Sequence, residues 1–223
     1  MEMMPQPTAE TLTMETRPLA GRSLPNFGPG MTRDWRAELP TIVTPHCTLR
    51  ELTLEDAPSL YGHLTAKEVA RYISPPPTTV DGFEKFIHWA HKERAQGRYA
   101  CFGIVPPGET AAVGFFQVCV ADDGRTAEWG FVLGSAYWGT GIFLAGARRV
   151  LDFVFAHLGL HRLEARAMPQ NGRGNGALMK VGAVREQLLR GSFERYGEKL
   201  DQALWVITRS TWWTTLCAPD TVH

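Results

Sequence analysis

Ala127-Glu128-Trp129-Gly130-Phe131-Val132-Leu133-Gly134-Ser135-Ala136-Tyr137-Trp138-Gly139-Thr140-Gly141-Ile142 reads as a strand that runs into a glycine turn and opens a helix. In the strand half, Trp129, Phe131 and Leu133 share one face, and Glu128 lies on the other beside Gly130 and Val132. The predicted helix, roughly 140–158, lines Phe143, Ala147, Val150, Leu151, Val154 and Leu158 along one stripe and stops at Gly159. Its first N–H groups have no intrahelical partner and its dipole is positive there, so the turn suits a phosphate or pyrophosphate. Gly139 and Gly141 let the backbone approach an anion without Cβ interference. A plain tight turn is the competing reading. A dinucleotide fingerprint would want glycine where Leu144 stands, which counts against that ligand.

Glu128 is the chemically unusual residue of the strand. A carboxylate in so apolar a segment is either partly buried or faces a wet cleft, and partial desolvation is what tunes such a group to act as a general base. An exposed side chain, or one paired with a neighbouring arginine, is the plain alternative.

Upstream, Tyr99 to Val105, Ala112 to Val120 and Thr126 to Leu133 are β-rich, with Pro106-Pro107-Gly108 and Asp122-Asp123-Gly124 as turns, which predicts an antiparallel meander. Two helices precede it. One starts at Thr53 as cap, and the other carries Phe83, Phe86, Ile87 and Ala90 at helical spacing before Gly97 stops it. Downstream come a strand (Arg162 to Met168), a short helix (about 172–181) and a final strand pair (Ala183–Arg190, Lys199–Thr208). Strand, helix, strand implies a parallel crossover between Thr126–Leu133 and Arg162–Met168, so the fold class is α+β with a mixed sheet.

The ends differ from this core. Seven of the fifteen prolines fall in the first 45 residues, so 1–40 reads as a disordered extension, with Met31 as an alternative start. Residues 41–210 form the domain and 211–223 a tail. Lys+Arg and Asp+Glu both total 23, which argues against a nucleic-acid wrapper or a polybasic membrane binder. Four scattered cysteines fit a reducing, cytoplasmic setting, and no apolar run is long enough to span a bilayer. His88, His91 and Glu84 share a helix but lack a fourth ligand, so no metal is expected.

Pro169-Gln170-Asn171-Gly172-Arg173-Gly174-Asn175-Gly176 places three glycines in the first turns of a helix that Asn171 caps. Each costs about 1 kcal/mol against alanine, which a chain accepts where something must come close to the backbone or where helix and strand pack tightly.

Leu49-Arg50 with Asp56-Ala57, Ala127-Glu128-Trp129-Gly130-Phe131, Tyr137-Trp138-Gly139-Thr140-Gly141, His161-Arg162-Leu163-Glu164-Ala165, Pro169-Gln170-Asn171 and Val181-Gly182-Ala183 follow one another in an order that resembles the GNAT N-acyltransferase superfamily, and within it the RimJ/RimL-like branch. The resemblance covers about 46–209. It implies a three-layer α/β/α fold around a mixed, mostly antiparallel sheet, acetyl-CoA as donor and a primary amine as acceptor, either a protein N-terminus or a small molecule. By the same resemblance Trp138, Gly139, Thr140, Gly141 and Ile142 wrap the pyrophosphate, and the backbone of Phe131, Val132 and Leu133 pairs with pantetheine. Asn171 then binds the pantetheine arm or orders its helix. Both readings make Glu128 the base, directly or through one water, because an ammonium has no lone pair with which to attack a thioester. An N–H between Phe131 and Leu133 would stabilise the oxyanion.

Glu164 is the reserve base, Asp201 contacts the acceptor or stabilises a hairpin, and Tyr72 walls the acceptor cleft. The pattern is incomplete: Ala136 stands where relatives carry Arg or Gln, Leu178 where some carry an acidic tyrosine, and Gly174 where a serine is common. Water or Asn175 is left as proton donor. These gaps motivate a second reading, a catalytically idle acyl-CoA-binding regulatory module. Monomer or homodimer is left open.

Overall fold

The computed structural model describes residues 34–217. The elements are β1 (Ile42–Val43), β2 (Thr48–Glu51), α1 (Ala57–Leu64), α2 (Lys67–Ala70), α3 (Val80–Ala95), β3 (Tyr99–Val105), β4 (Gly114–Val120), β5 (Thr126–Leu133), α4 (Ile142–Asp152), β6 (Arg162–Ala167), α5 (Gly172–Lys180), β7 (Val184–Arg195), β8 (Glu198–Thr208) and α6 (Arg209–Cys217). The strands form a single eight-stranded sheet in the order β1-β2-β3-β4-β5-β6-β8-β7. Every neighbouring pair is antiparallel except β5 and β6, the crossover the sequence predicts.

Helices cover both faces, giving three layers. On one side Trp129, Leu133, Ala147, Val150, Leu151, Val154, Leu163 and Trp205 form a core under α4 and α5. On the other, Leu60 and Leu64 of α1 and Phe83 and Ile87 of α3 meet Tyr99, Cys101 and Val132. Covered on both faces, β3 is buried along its whole length, which is why it reads as an unbroken apolar run.

Local devices fix the helix starts. Thr79 Oγ1 accepts from the Gly82 amide at 3.0 Å to cap α3. The buried Asp56 carboxylate receives both terminal nitrogens of Arg50 at 2.7 and 2.8 Å, and the amides of Thr53 and Ala112 at 2.8 Å each. Burial alone would raise the Asp56 carboxyl, but Arg50 and these amides outweigh it and hold the group below its ordinary range.

Three boundaries depart from the sequence expectation. The fold reaches back to Asp34: Leu39 is buried and Trp35 packs edge-on against Phe153, so 34–40 belongs to the domain. The rest of the expected extension, 1–33, lies outside the described residues, as does 218–223 of the expected tail. The start of that tail is helical. α6 docks through Trp212, whose Nε1 donates to Asp152 Oδ1 at 3.1 Å, and one anchoring side chain leaves no periodic stripe to read. Finally, β7 runs past Arg190 to Arg195, because register shifts at Arg185/Gln187 and Leu189/Phe193 break its alternation.

Candidate active site

β5 and β6 pair only at Thr126↔Arg162, Ala127↔Leu163 and Glu128↔Glu164. Beyond Glu128 the strands part, and β5 continues for five residues beside a gap. The Gly134 amide donates to the Val113 carbonyl at 2.9 Å, so it faces the β4 side. Backbone direction alternates along a strand, which turns the Val132 and Gly130 amides toward β4 and those of Leu133 and Phe131 into the gap. Of the three residues expected to offer backbone here, Val132 therefore does not: its side chain packs in the α1–α3 core and its amide belongs to the sheet.

The gap opens onto the glycine turn. Ser135–Tyr137 make one tight turn, and Gly139 and Gly141 adopt φ of 79° and 86°, with Gly141 capping α4. A side chain at either position would be strained, and the space beside Gly139 is open. Trp138 Nε1 donates to the Leu133 carbonyl at 2.8 Å, and Thr140 Oγ1 to the Tyr137 carbonyl at 2.8 Å, so both side chains lock the turn. Ile142 is buried in the core and presents only backbone. No residue from Gly134 to Gly141 is cationic. Arg173, from the first turn of α5, stands 4.2 Å over the Trp138 ring and brings the positive charge that the turn lacks.

Where the strands part, the chemistry passes to side chains. The Glu128 side chain is 49 % exposed and paired with Arg166. The desolvation expected of it is thus not found; the arginine pairing named as the alternative is. Arg166 also lies 3.7 Å from Glu164, which accepts from Arg162 Nε at 2.7 Å, and Arg162 in turn forms a two-pronged pair with Glu186. Glu164 is thereby a link between two arginines.

Asn171 caps α5 as expected, its Oδ1 accepting from the Gly174 amide at 2.9 Å. A Cβ on Gly174 would lie 2.5 Å from Asn171 Nδ2, so a side chain there would displace the Asn171 amide from its present position. Asn175 donates to the Met168 and Asn171 carbonyls at 2.9 and 2.8 Å and accepts from Trp205 Nε1 at 2.8 Å. It ties β6, α5 and β8 together and has no proton to offer. Leu178 is buried.

On the other face of the sheet, Tyr72 lies beneath Arg71 next to the end of α2, to which Arg195 reaches from the β7–β8 hairpin by donating to the carbonyls of Ala70 and Arg71. Asp201 accepts from the Gly191 amide at 2.8 Å, the hairpin-stabilising role of the two expected for it. Gln117 on β4 sits opposite Gly130, held by Tyr99. Gln117, Arg166 and Arg173 belong to no motif that marks them in the sequence. Only Arg173, one residue before the second of three helix glycines, carried a local signal.

The chain matches the acetyltransferase (GNAT) domain over residues 46–184. The chain belongs to the GNAT acetyltransferases. The uncharacterized N-acetyltransferase p20 of Bacillus licheniformis is 29% identical over 164 residues, 72% of this chain and 92% of that protein. Among solved structures, the ribosomal-protein-S5-alanine acetyltransferase of Vibrio fischeri superposes with a TM-score of 0.69 at 19% identity, covering 78% of this chain and 98% of that one. Mycobacterium smegmatis RimJ, solved with CoA-disulfide, gives 0.67 at 24% identity over 76% and 88%. The GNAT fold is thus shared across these proteins. No helix among the described residues is long and apolar enough to cross a membrane.

Proposed function

We propose that this GNAT domain, of the RimJ/RimL-like branch, moves an acetyl group from acetyl-CoA to a primary amine by direct attack with both substrates bound. The observation that carries the reading is the gap beside β5, lined by the Phe131 and Leu133 amides and leading to the Gly139–Gly141 turn. An acylated pantetheine arm is an extended chain with amide groups, suited to the open edge of a strand. Its diphosphate suits a turn whose glycines expose backbone at a helix start, with Arg173 alongside.

Glu128 takes the proton from the bound ammonium, directly or through one water. The freed nitrogen attacks the thioester carbon, and the Phe131 or Leu133 amide receives the oxyanion. As the C–S bond breaks, the sulfur leaves as thiolate, and the attacking nitrogen, cationic after attack, passes its second proton through water to that sulfur, since Asn175 and Leu178 supply none. A thiolate is a tolerable leaving group near neutral pH, so no side-chain acid is needed. Juxtaposing amine and thioester supplies much of the acceleration.

The test is CoA release with a panel of amines, alongside the Glu128→Gln variant. Turnover that falls about 10²–10⁴-fold in the variant at neutral pH supports the base. Wild-type turnover in that variant removes Glu128 from the role. The absence of an acid in α5 favours one rival, an idle acyl-CoA-binding module, which predicts a higher Tm with acetyl-CoA and no turnover of any amine.

A further inference from the structure

The sheet face that carries Glu128 is only partly covered. Val132 and Phe115 pack beneath the first helices, whereas Cys119 and Glu128, four residues along their strands, are exposed. Between these rows lies the pair Gln117↔Gly130. Gly130 has no side chain to fill the space above β5, and glycine inside a strand marks a place of close approach. Here the Gln117 amide approaches: a Cβ on Gly130 would meet its Nε2 at 3.0 Å.

The direction of that amide is set from behind. Tyr99 Oη donates to Gln117 Oε1 at 2.6 Å, so the carbonyl end is engaged and the NH₂ end points over Gly130. Burial pushes the Tyr99 hydroxyl far above its ordinary value, so it keeps its proton and remains a donor. The Trp89 ring, 4.7 Å from the Tyr99 ring, fixes that side chain in turn. Among the described residues Nε2 has no hydrogen-bond partner. Glu128 is two residues from Gly130 on the same face, so donor and carboxylate are about 7 Å apart along the strand, the span of a small acceptor.

We propose that Gln117 orients the acceptor by donating a hydrogen bond from Nε2 to an oxygen two or three bonds from the amine that Glu128 deprotonates. Preferred acceptors are then amines with a neighbouring carbonyl or hydroxyl. This rests on the acetyl-transfer reading above and adds a specificity-determining residue to it.

The experiment compares glycinamide (carbonyl), ethanolamine (hydroxyl) and propylamine (neither) as acceptors for the wild type, Gln117→Leu, Gln117→Glu and Tyr99→Phe. The amines differ in basicity, so the readout is the change in kcat/KM for each amine between proteins. Gln117→Leu should lower kcat/KM for at least one oxygen-bearing amine about tenfold, the loss of one hydrogen bond, and alter propylamine by less than about twofold. Gln117→Glu keeps the size and the Tyr99 bond but removes the donor, and should match Gln117→Leu. Tyr99→Phe should fall between them and the wild type, and KM for acetyl-CoA should stay unchanged throughout. A response confined to glycinamide or to ethanolamine supports the proposal and says which oxygen is read. Equal loss for all three amines, or none, overturns it while leaving acetyl transfer intact. A wild type that acetylates no amine of a wider panel overturns the proposed function, and this inference with it.

Discussion

The two ends of the β5–β6 gap are built from different materials. At the glycine turn the working groups are backbone amides, freed by positive φ at Gly139 and Gly141, and the nearby side chains of Trp138 and Thr140 spend their hydrogen bonds inside the turn. Where the strands part, the working groups are side chains, with Glu128, Arg166, Glu164, Arg162 and Glu186 alternating in sign across the sheet. Under the proposed function, the difference makes holding the donor and reacting it separable tasks. One end uses dipoles that cannot titrate, and the other uses charges that can.

Substitution should separate the two ends. The largest effect is expected for Glu128→Gln, whose turnover falls about 10²–10⁴-fold while the Tm rise with acetyl-CoA matches the wild type. If acetyl-CoA binding is lost as well, the ends are not independent. Next is Gly139→Ala, whose new methyl meets no protein atom, so only backbone strain and the closeness of a ligand are altered. Left-handed strain of about 1–2 kcal/mol should weaken acetyl-CoA binding roughly tenfold in calorimetry, with kcat at saturation within about threefold of wild type.

A smaller contrast sets Glu128 against Asp56, a carboxylate whose partners are all structural. Because the folded-state carboxyl of Asp56 titrates below its ordinary value, its contribution to stability is complete above the unfolded value, about pH 4, and is lost as pH falls through the folded one. Asp56→Asn should therefore lower the urea midpoint at pH 7, a loss of about 1–3 kcal/mol in unfolding free energy, and flatten the decline of that midpoint between pH 5 and 3. Glu128→Gln should leave that midpoint unchanged. A midpoint that drops equally in both would mean that the charged chain on the sheet is structural rather than catalytic.

Legibility followed the same division. The meander, the crossover and the glycine turn were readable because period-two strands, helical stripes and positive-φ glycines are local signals: Tyr99–Val105 and Thr126–Leu133 were placed to the residue. The cap at Asn171 was readable for the same reason. What could not be read was what faces what. Arg166 is 38 residues from Glu128, and Gln117 meets Gly130 only through the β4–β5 register. The docking of α6 rests on one tryptophan and an aspartate 60 residues away. Such pairings are properties of the sheet order, which no short window contains.

The three-residue contact between β5 and β6 has a consequence for solvent. Phe131 and Leu133 lie well inside an eight-stranded sheet, yet their amides face no strand, so in the free protein they should take up deuterium faster than Gly130 and Val132 between them. Acetyl-CoA should slow that uptake, because the ligand would complete the sheet as a guest strand. The alternating pattern of protection along β5 would then vanish on binding.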